Sequence, residues 1–225
     1  IYDSTTLEKL QTLVGHELGI TSVIWHPLDD RIASASLDKT LRIWDGATAE
    51  SQHTLGEKVF TGSVDFNPTG REIAAGHRDG TVTIWKAKTG EPVRTTKKHK
   101  GQVDSIAWNK NGSSIASGSS DGTVRIMNSE TWEVLHILKN PVEWPVFSLD
   151  WSPNDLHLAT GSFDGVLRIW NVQDGTLWKH FGTPHRNGQI GAVAWNPKGT
   201  LLVAGYGNGD LCTWDVITGE KDQIL

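Results

Sequence analysis

Apolar and polar residues alternate along this chain in short runs, and the runs come in pairs. Ile115-Ala116-Ser117-Gly118-Ser119 alternates, a turn follows at Ser120-Asp121-Gly122, and Thr123-Val124-Arg125-Ile126-Met127 alternates again. Two period-2 runs around an Asp-Gly step predict a β-hairpin. The same phrase recurs as ASASLDKTLRIWD at 33–45, AAGHRDGTVTIWK at 74–86, ATGSFDGVLRIWN at 159–171 and VAGYGNGDLCTWD at 203–215. The residue closing the second run is usually Trp. It falls at Tyr2, Trp44, Trp85, Met127, Trp170 and Trp214, spaced 41 to 44 residues apart. A period of about 40–45 residues with four short strands per unit is the signature of a propeller blade.

Each unit reads as strand a (Ile20 to Trp25 in the first), then b, c and a shorter d. Pro27, Pro68, Pro153 and Pro197 close strand a, where a residue that cannot donate to a ladder belongs. Each sheet is expected to be apolar on both faces because it stacks between two neighbours. Small residues on strand b (Ala33, Ala74, Ala116, Ala159, Ala204) allow close approach near the axis. Large rings on strand a (Trp25, Phe66, Trp108, Trp151, Trp195) fill the space between sheets.

The expected fold is therefore all-β: five complete four-stranded blades at 15–55, 56–96, 97–138, 139–181 and 182–225, preceded by a half-blade at 1–14. That half-blade offers the end of a strand c (Ile1-Tyr2-Asp3) and a strand d (Lys9 to Leu13). It calls for two further strands upstream, so the sequence reads as part of a longer chain. The alternative is a ring closed by strands of another protein or a second copy.

Composition narrows the function. A net charge of -5 over 225 residues argues against broad nucleic-acid binding. The basic cluster Lys97-Lys98-His99-Lys100 reads as a solvated loop or as a contact to an anionic partner. No run approaches the roughly 18 apolar residues of a membrane span. The lone Cys212 excludes an internal disulfide and points to an intracellular setting, cytoplasm or nucleus. No histidine stands at metal-ligand spacing to another His or Cys, and no phosphate loop, dinucleotide fingerprint or nucleophile elbow is present. No catalytic residue, metal, cofactor or small-molecule substrate is expected, and the chain does not read as an enzyme.

Trp44-Asp45, Trp214-Asp215, Gly15-His16 and the Asp-Gly hairpins, in five collinear copies, resemble the WD-repeat β-propeller family along essentially the whole chain. The resemblance implies a propeller, usually of seven blades, and a hydrogen-bonded Asp–His–Ser/Thr–Trp tetrad in each. Blade 1 supplies all four as Asp38, His16, Ser34 and Trp44. Blade 2 keeps Asp79 and Trp85; blade 3 has Asp121, His99 and Ser117 but Met127 in place of Trp. Blade 4 has Asp164, Thr160 and Trp170 without His, and blade 5 has His185 and Trp214. A satisfied buried network stiffens a sheet, so blade 1 is expected to be the most rigid and blade 2 among the softest. Blades 1 to 3 are also similar to the propeller subunit shared by the Ski messenger-RNA-decay and Paf transcription-elongation complexes. Blades 4 and 5 are similar to transducin-β-like corepressor subunits.

The resemblance further implies that partners sit on the face carrying the d–a and b–c loops. There Phe60, Arg78, Trp144, Phe147 and Phe163 form a candidate patch of the residue types enriched at interface hot spots. The competing reading packs Trp144 and Phe147 inward, in place of the Gly-His that blade 4 lacks. Trp132 and Trp178 read as outer-rim packing or as a second, lateral interface. The expected function is a scaffold that docks peptide segments of protein subunits in a larger complex, without direct nucleic-acid or membrane contact. The alternative is a reader of a modified or charged side chain at the channel mouth, with Asp104 as its acidic residue and aromatic neighbours completing the cage.

Overall fold

A computed structural model describes residues 1–56, 60–182 and 188–224. It is built from strands, with no helix among the described residues. The first sheet holds β1 (Ile20–Trp25), β2 (Arg31–Ser36), β3 (Thr40–Asp45) and β4 (Ser51–Gly56). The second holds β5 (Thr61–Phe66), β6 (Glu72–His77), β7 (Thr81–Lys86) and β8 (Pro92–Lys97). The third holds β9 (Val103–Trp108), β10 (Ser114–Ser119), β11 (Thr123–Asn128) and β12 (Val134–Lys139). The fourth holds β13 (Val146–Trp151), β14 (His157–Ser162), β15 (Leu167–Asn171) and β16 (Leu177–Phe181). The fifth holds β17 (Ile190–Trp195), β18 (Leu201–Tyr206), β19 (Leu211–Asp215) and β20 (Lys221–Ile224). Each sheet is an antiparallel meander in chain order, and β1, β5, β9, β13 and β17 lie side by side in sequence. Ahead of them, residues near the start fold back through a single Tyr2–Lys9 bridge.

The b–c hairpins show why Asp-Gly recurs. Gly122 N–H bonds Ser119 C=O at 3.1 Å, closing a four-residue turn whose last residue sits at φ +80°. Gly80, Gly165 and Gly209 take the same place with positive φ, a conformation that glycine adopts without strain. Blade 1 puts Lys39 there, at φ +68°.

Four apolar clusters lie between successive sheets. In the first, Ala33, Ala35, Leu41, Ile43 and Leu55 of blade 1 meet Val64, Phe66, Ile73, Ala75 and Trp85 of blade 2, and the pattern repeats at the next three junctions. The five strand-b alanines are fully buried. The strand-a rings behave as expected at Phe66, Trp108 and Trp151, all under 8% exposed. Trp25 does not: it is 52% exposed, beside Ile20 at 53% and Val23 at 66%. These three occupy the face that their counterparts turn toward a preceding sheet, and no sheet among the described residues covers it.

Strand a also carries a β-bulge in every blade. The register skips Thr21, Gly62, Phe147 and Gly191, and in blade 3 it skips Asp104. A bulge re-aims its residue out of the regular alternation, so Asp104 and Phe147 sit at equivalent bulges on neighbouring inner strands.

Candidate functional site

The polar networks at the b–c turns fix the loop face, and each blade solves the problem differently. In blade 1 the complete tetrad forms. Trp44 Nε1 donates to Ser34 Oγ at 2.7 Å, and His16 bridges Ser34 (Nε2–Oγ, 2.7 Å) and Asp38 (Nδ1–Oδ2, 2.8 Å). Burial works against the Asp38 charge, but hydrogen bonds from Thr40 and His16 outweigh it and hold the carboxyl well below its usual range. Blade 3 keeps His99 between Asp121 (3.1 Å) and Ser117 (2.8 Å). Desolvation again opposes the carboxylate, and the bonds from His99 and Thr123 overcome it and keep Asp121 ionised. Met127, fully buried, fills the Trp place with packing alone.

Two substitutions escaped the sequence reading. Blade 2 is not reduced to Asp79 and Trp85. His77, fully buried, contacts Thr61 Oγ1 (3.2 Å) and Thr83 Oγ1 (3.1 Å), and Thr95 Oγ1 donates to Thr83 at 3.1 Å. Its ring meets Trp85 edge-on at 6.1 Å. Desolvation lowers the His77 pKa to about 4, with the Asp79 charge opposing. Blade 4 replaces the missing His with Arg168, whose guanidinium donates to Asp164 (2.6 and 3.1 Å) and to Ser162 (3.1 Å). Trp170 Nε1 still donates to Thr160 Oγ1 at 2.9 Å. Desolvation opposes the Asp164 charge, yet the bonds from Arg168 and Ser162 keep its pKa low. In blade 5, His185 lies outside the described residues. Ala204 offers Trp214 no hydroxyl, and the indole stacks on Phe181 at 5.2 Å.

On the loop face the structure gathers three of the candidate rings. Trp144 stacks on Phe163 at 5.2 Å and 22°, and Phe147 meets Phe163 edge-on at 6.1 Å. All three are half-buried. Phe163 is held by its N–H bond to Pro145 C=O at 2.9 Å, which ties the b–c turn to the segment entering β13. Asp104 stands at the bulge one strand away. Burial pushes its pKa up to about 6 against a hydrogen bond from Gln102. Gln102 Nε2 reaches Oδ1 at 2.8 Å, and the buried Oδ2 has no hydrogen-bond partner among the described residues. Phe60 and Arg78 lie apart on blade 2, joined to each other by an Arg78 N–H to Phe60 C=O bond of 2.9 Å; Arg78 is exposed and Phe60 half-buried. At the outer rim, Trp132 is packed, 7% exposed under the Arg94 guanidinium. Trp178 is 43% exposed and stacks on His157 at 4.3 Å.

Among the described residues no group of three or more His, Cys, Asp or Glu is placed to hold a metal ion. No helix among them is long and apolar enough to cross a membrane. Cys212 is buried and unpaired with another cysteine.

Comparison with known proteins matches the family described as WD domain, G-beta repeat, at residues 7–45, 50–86, 90–128, 132–171 and 177–215. Among curated proteins, a lissencephaly-1 homolog of Caenorhabditis briggsae is 45% identical over 47 residues, 21% of this chain and 12% of that protein. Pre-mRNA-processing factor 19 of Homo sapiens is 46% identical over 44 residues, 20% of this chain and 9% of that protein. The nuclear distribution protein PAC1 of Coprinopsis cinerea is 46% identical over 43 residues, 19% and 10%. The chain thus matches about a tenth of each relative's length. These relatives lend no support to the likeness with the Ski and Paf subunit. The five matched repeats cover most of the sequence, end to end, and the chain belongs to the WD-repeat family.

Proposed function

We propose that this chain is a non-enzymatic scaffold that docks peptide segments of protein partners on its loop face, through the rings of Trp144, Phe147 and Phe163. The observation that carries the reading is the stack itself. Three rings converge, two of them on loops, where polar residues are usual, and the third at the β13 bulge, and each keeps part of its surface open to solvent. Half-exposed aromatics in a fixed arrangement bind with little ordering cost, because the scaffold is already rigid. Phe60 and Arg78 extend the surface toward blade 2. The partners are subunits of a larger assembly. Its membership is left open by short matches to relatives of different names, and a place beside the Ski, Paf or corepressor subunits has the blade patterns alone behind it.

The test is selection of random dodecapeptides on the immobilised protein. Binders are expected to lose about tenfold or more in affinity to Trp144→Ala and Phe163→Ala and to keep it against Trp178→Ala. Selected peptides that bind the two loop-face variants as well as wild type would refute the docking site.

A second reading is favoured by Asp104, whose Oδ2, unpartnered among the described residues, lies at the bulge next to that of Phe147. A carboxylate beside an aromatic suits a cationic side chain. With a pKa of about 6, Asp104 would hold a lysine-bearing peptide at pH 7.5 and release it near pH 5. Affinity that is flat across that range would remove this reading.

A further inference from the structure

Strand c presents an arginine at the same register position in three blades, and each side chain meets a different fate. Arg42, Arg125 and Arg168 pair across to Ser34, Ser117 and Thr160. In blade 4, where no His occupies the turn Asp, Arg168 takes Asp164 in a buried ion pair. In blade 1 His16 already holds Asp38, and the Arg42 guanidinium lies over the Trp44 ring at 5.7 Å. Blade 3 withholds both partners. His99 holds Asp121, and the ring is replaced by Met127. Arg125 is left half-buried, with its Nε enclosed and no hydrogen bond or ion pair among the described residues.

The space in front of it is not filled. A cavity of about 640 Å³ is lined by Arg125, Lys100, Lys139, Asp121, Asn140 and Glu143, among others. Lys100 and Lys139 are exposed and form no ion pair among the described residues. The Asp121 carboxylate is already engaged by His99, Thr123 and the Lys100 N–H. Glu143, exposed, is the one other acid on this wall among the described residues. Three cations against two acids, one of the acids already engaged and one of the cations with a donor already desolvated, make a seat for an anion. We propose that this cavity binds an anionic side chain, carboxylate or phosphate, of a docked protein segment.

The site stands apart from the ring cluster but shares a wall with it. Asn140 and Glu143 line the cavity, and the next residue, Trp144, stacks on Phe163. Asn140 Nδ2 donates to Trp144 C=O at 3.3 Å, bracing the segment between them. A peptide crossing that segment would set an apolar residue on the rings and an acidic or phosphorylated one against Arg125. The anion site does not depend on the rings being a docking surface, and the probes below are too short to engage both.

The test follows the Arg125 Nε–Hε signal by NMR in the full chain, assigned by its loss in Arg125→Lys. The probes are inorganic phosphate and the capped tripeptides Gly-phosphoserine-Gly, Gly-Glu-Gly and Gly-Ser-Gly. The signal is expected to shift saturably at millimolar concentrations of phosphate and at least one anionic tripeptide, and not with Gly-Ser-Gly. Phosphoserine alone, glutamate alone, or both saturating tells a phosphate source from a carboxylate source. Lys139→Gln, an exposed change that leaves the packing untouched, is expected to weaken the effect about threefold to tenfold. The proposal is overturned if no anion gives a saturable shift, if Gly-Ser-Gly shifts the signal equally, or if Lys139→Gln leaves the affinity unchanged.

Discussion

Single residues in this chain hold conformations and charges that their chemistry resists, and each leaves a measurable trace. Lys39 sits at φ +68° where the other b–c turns have glycine. Left-handed backbone costs a residue with a Cβ about 1 kcal/mol, part of which glycine returns as entropy of the unfolded chain. Lys39→Gly is therefore expected to stabilise by about 0.5–1 kcal/mol and to raise the melting temperature; a fall would show that the lysine makes a compensating contact. The pH response should split between two groups. His77, with a pKa depressed by burial to about 4, stays neutral in the fold while the unfolded imidazole takes a proton near 6.5. Its contribution is present above pH 6.5 and is lost as pH falls toward 4, by up to about 3 kcal/mol. Asp65 runs the other way. Enclosure raises its pKa to about 7, the Trp108 and Phe66 amides oppose, and the Asp150 charge adds to the rise. Its contribution is full below pH 4 and is lost as pH rises through 7. Asp65→Asn, which keeps an acceptor for the Trp108 N–H (2.7 Å in wild type), should gain on wild type by about 2–4 kcal/mol between pH 4 and 7.5. Denaturant melts of both proteins across that range check the sign.

Between elements, the bonds that matter cross from one inner strand to the next. Ser22, Ser63, Ser105 and Ser148 each accept a backbone N–H from the following blade, at Val64, Ile106, Leu149 and Val193, over 3.1–3.3 Å. Asp65 and Asp150 add a second bond at alternate junctions, to Trp108 and Trp195 N–H at 2.7 Å. These hydroxyls satisfy amides at the free inner edge of strand a. Ser105→Ala is expected to cost about 1 kcal/mol, and Ser148→Ala less, because Asp150 still bridges that junction; equal losses would deny the carboxylate its role. The serine was legible: ITSVIW, TGSVDF, VDSIAW and VFSLDW repeat it at one position, and IGAVAW breaks it. The hairpins, the period, the prolines and the small strand-b residues were legible for the same reason, since each is a local pattern said several times. The aromatic patch could be suspected, but its stacking could not, because Trp144 and Phe163 come from segments joined only by the fold. The bulges that aim Asp104 and Phe147 leave no compositional mark. Arg168 and His77 were missed because each fills a lost tetrad place from a different strand position, so a search for fixed residues sees only the loss.

At the scale of the whole molecule, each sheet is supported by its neighbours, as in other quasi-one-dimensional arrays. Among the described residues, blades 2, 3 and 4 are covered on both faces, whereas blade 1 has one covered face, and the competition there can be weighed. Its tetrad supplies three hydrogen bonds, one buried and two part-buried, worth about 1 kcal/mol each. Against that, Ile20, Val23 and Trp25 keep half or more of their surface in water and forgo about 1 kcal/mol or more apiece. The two effects are similar in size but fall on different strands. The tetrad joins β2 and β3, where Ile32, Ser34 and Trp44 are all buried, while the exposed residues are all on β1. Tetrad content alone ranks blade 1 first and blade 2 among the last; the His77 network and the double cover of blade 2 change that order. Hydrogen exchange on the 225-residue chain is therefore expected to show slow amides in β2, β3 and throughout β5 to β7, the slowest in β10 and β11, and markedly faster ones in β1. Equal protection of β1, β2 and β3 would mean that the tetrad carries its whole sheet. Slow exchange in β1 with fast exchange in β6 would mean that a complete tetrad outweighs a covered face, and that sheet stacking is not the main source of rigidity in this molecule.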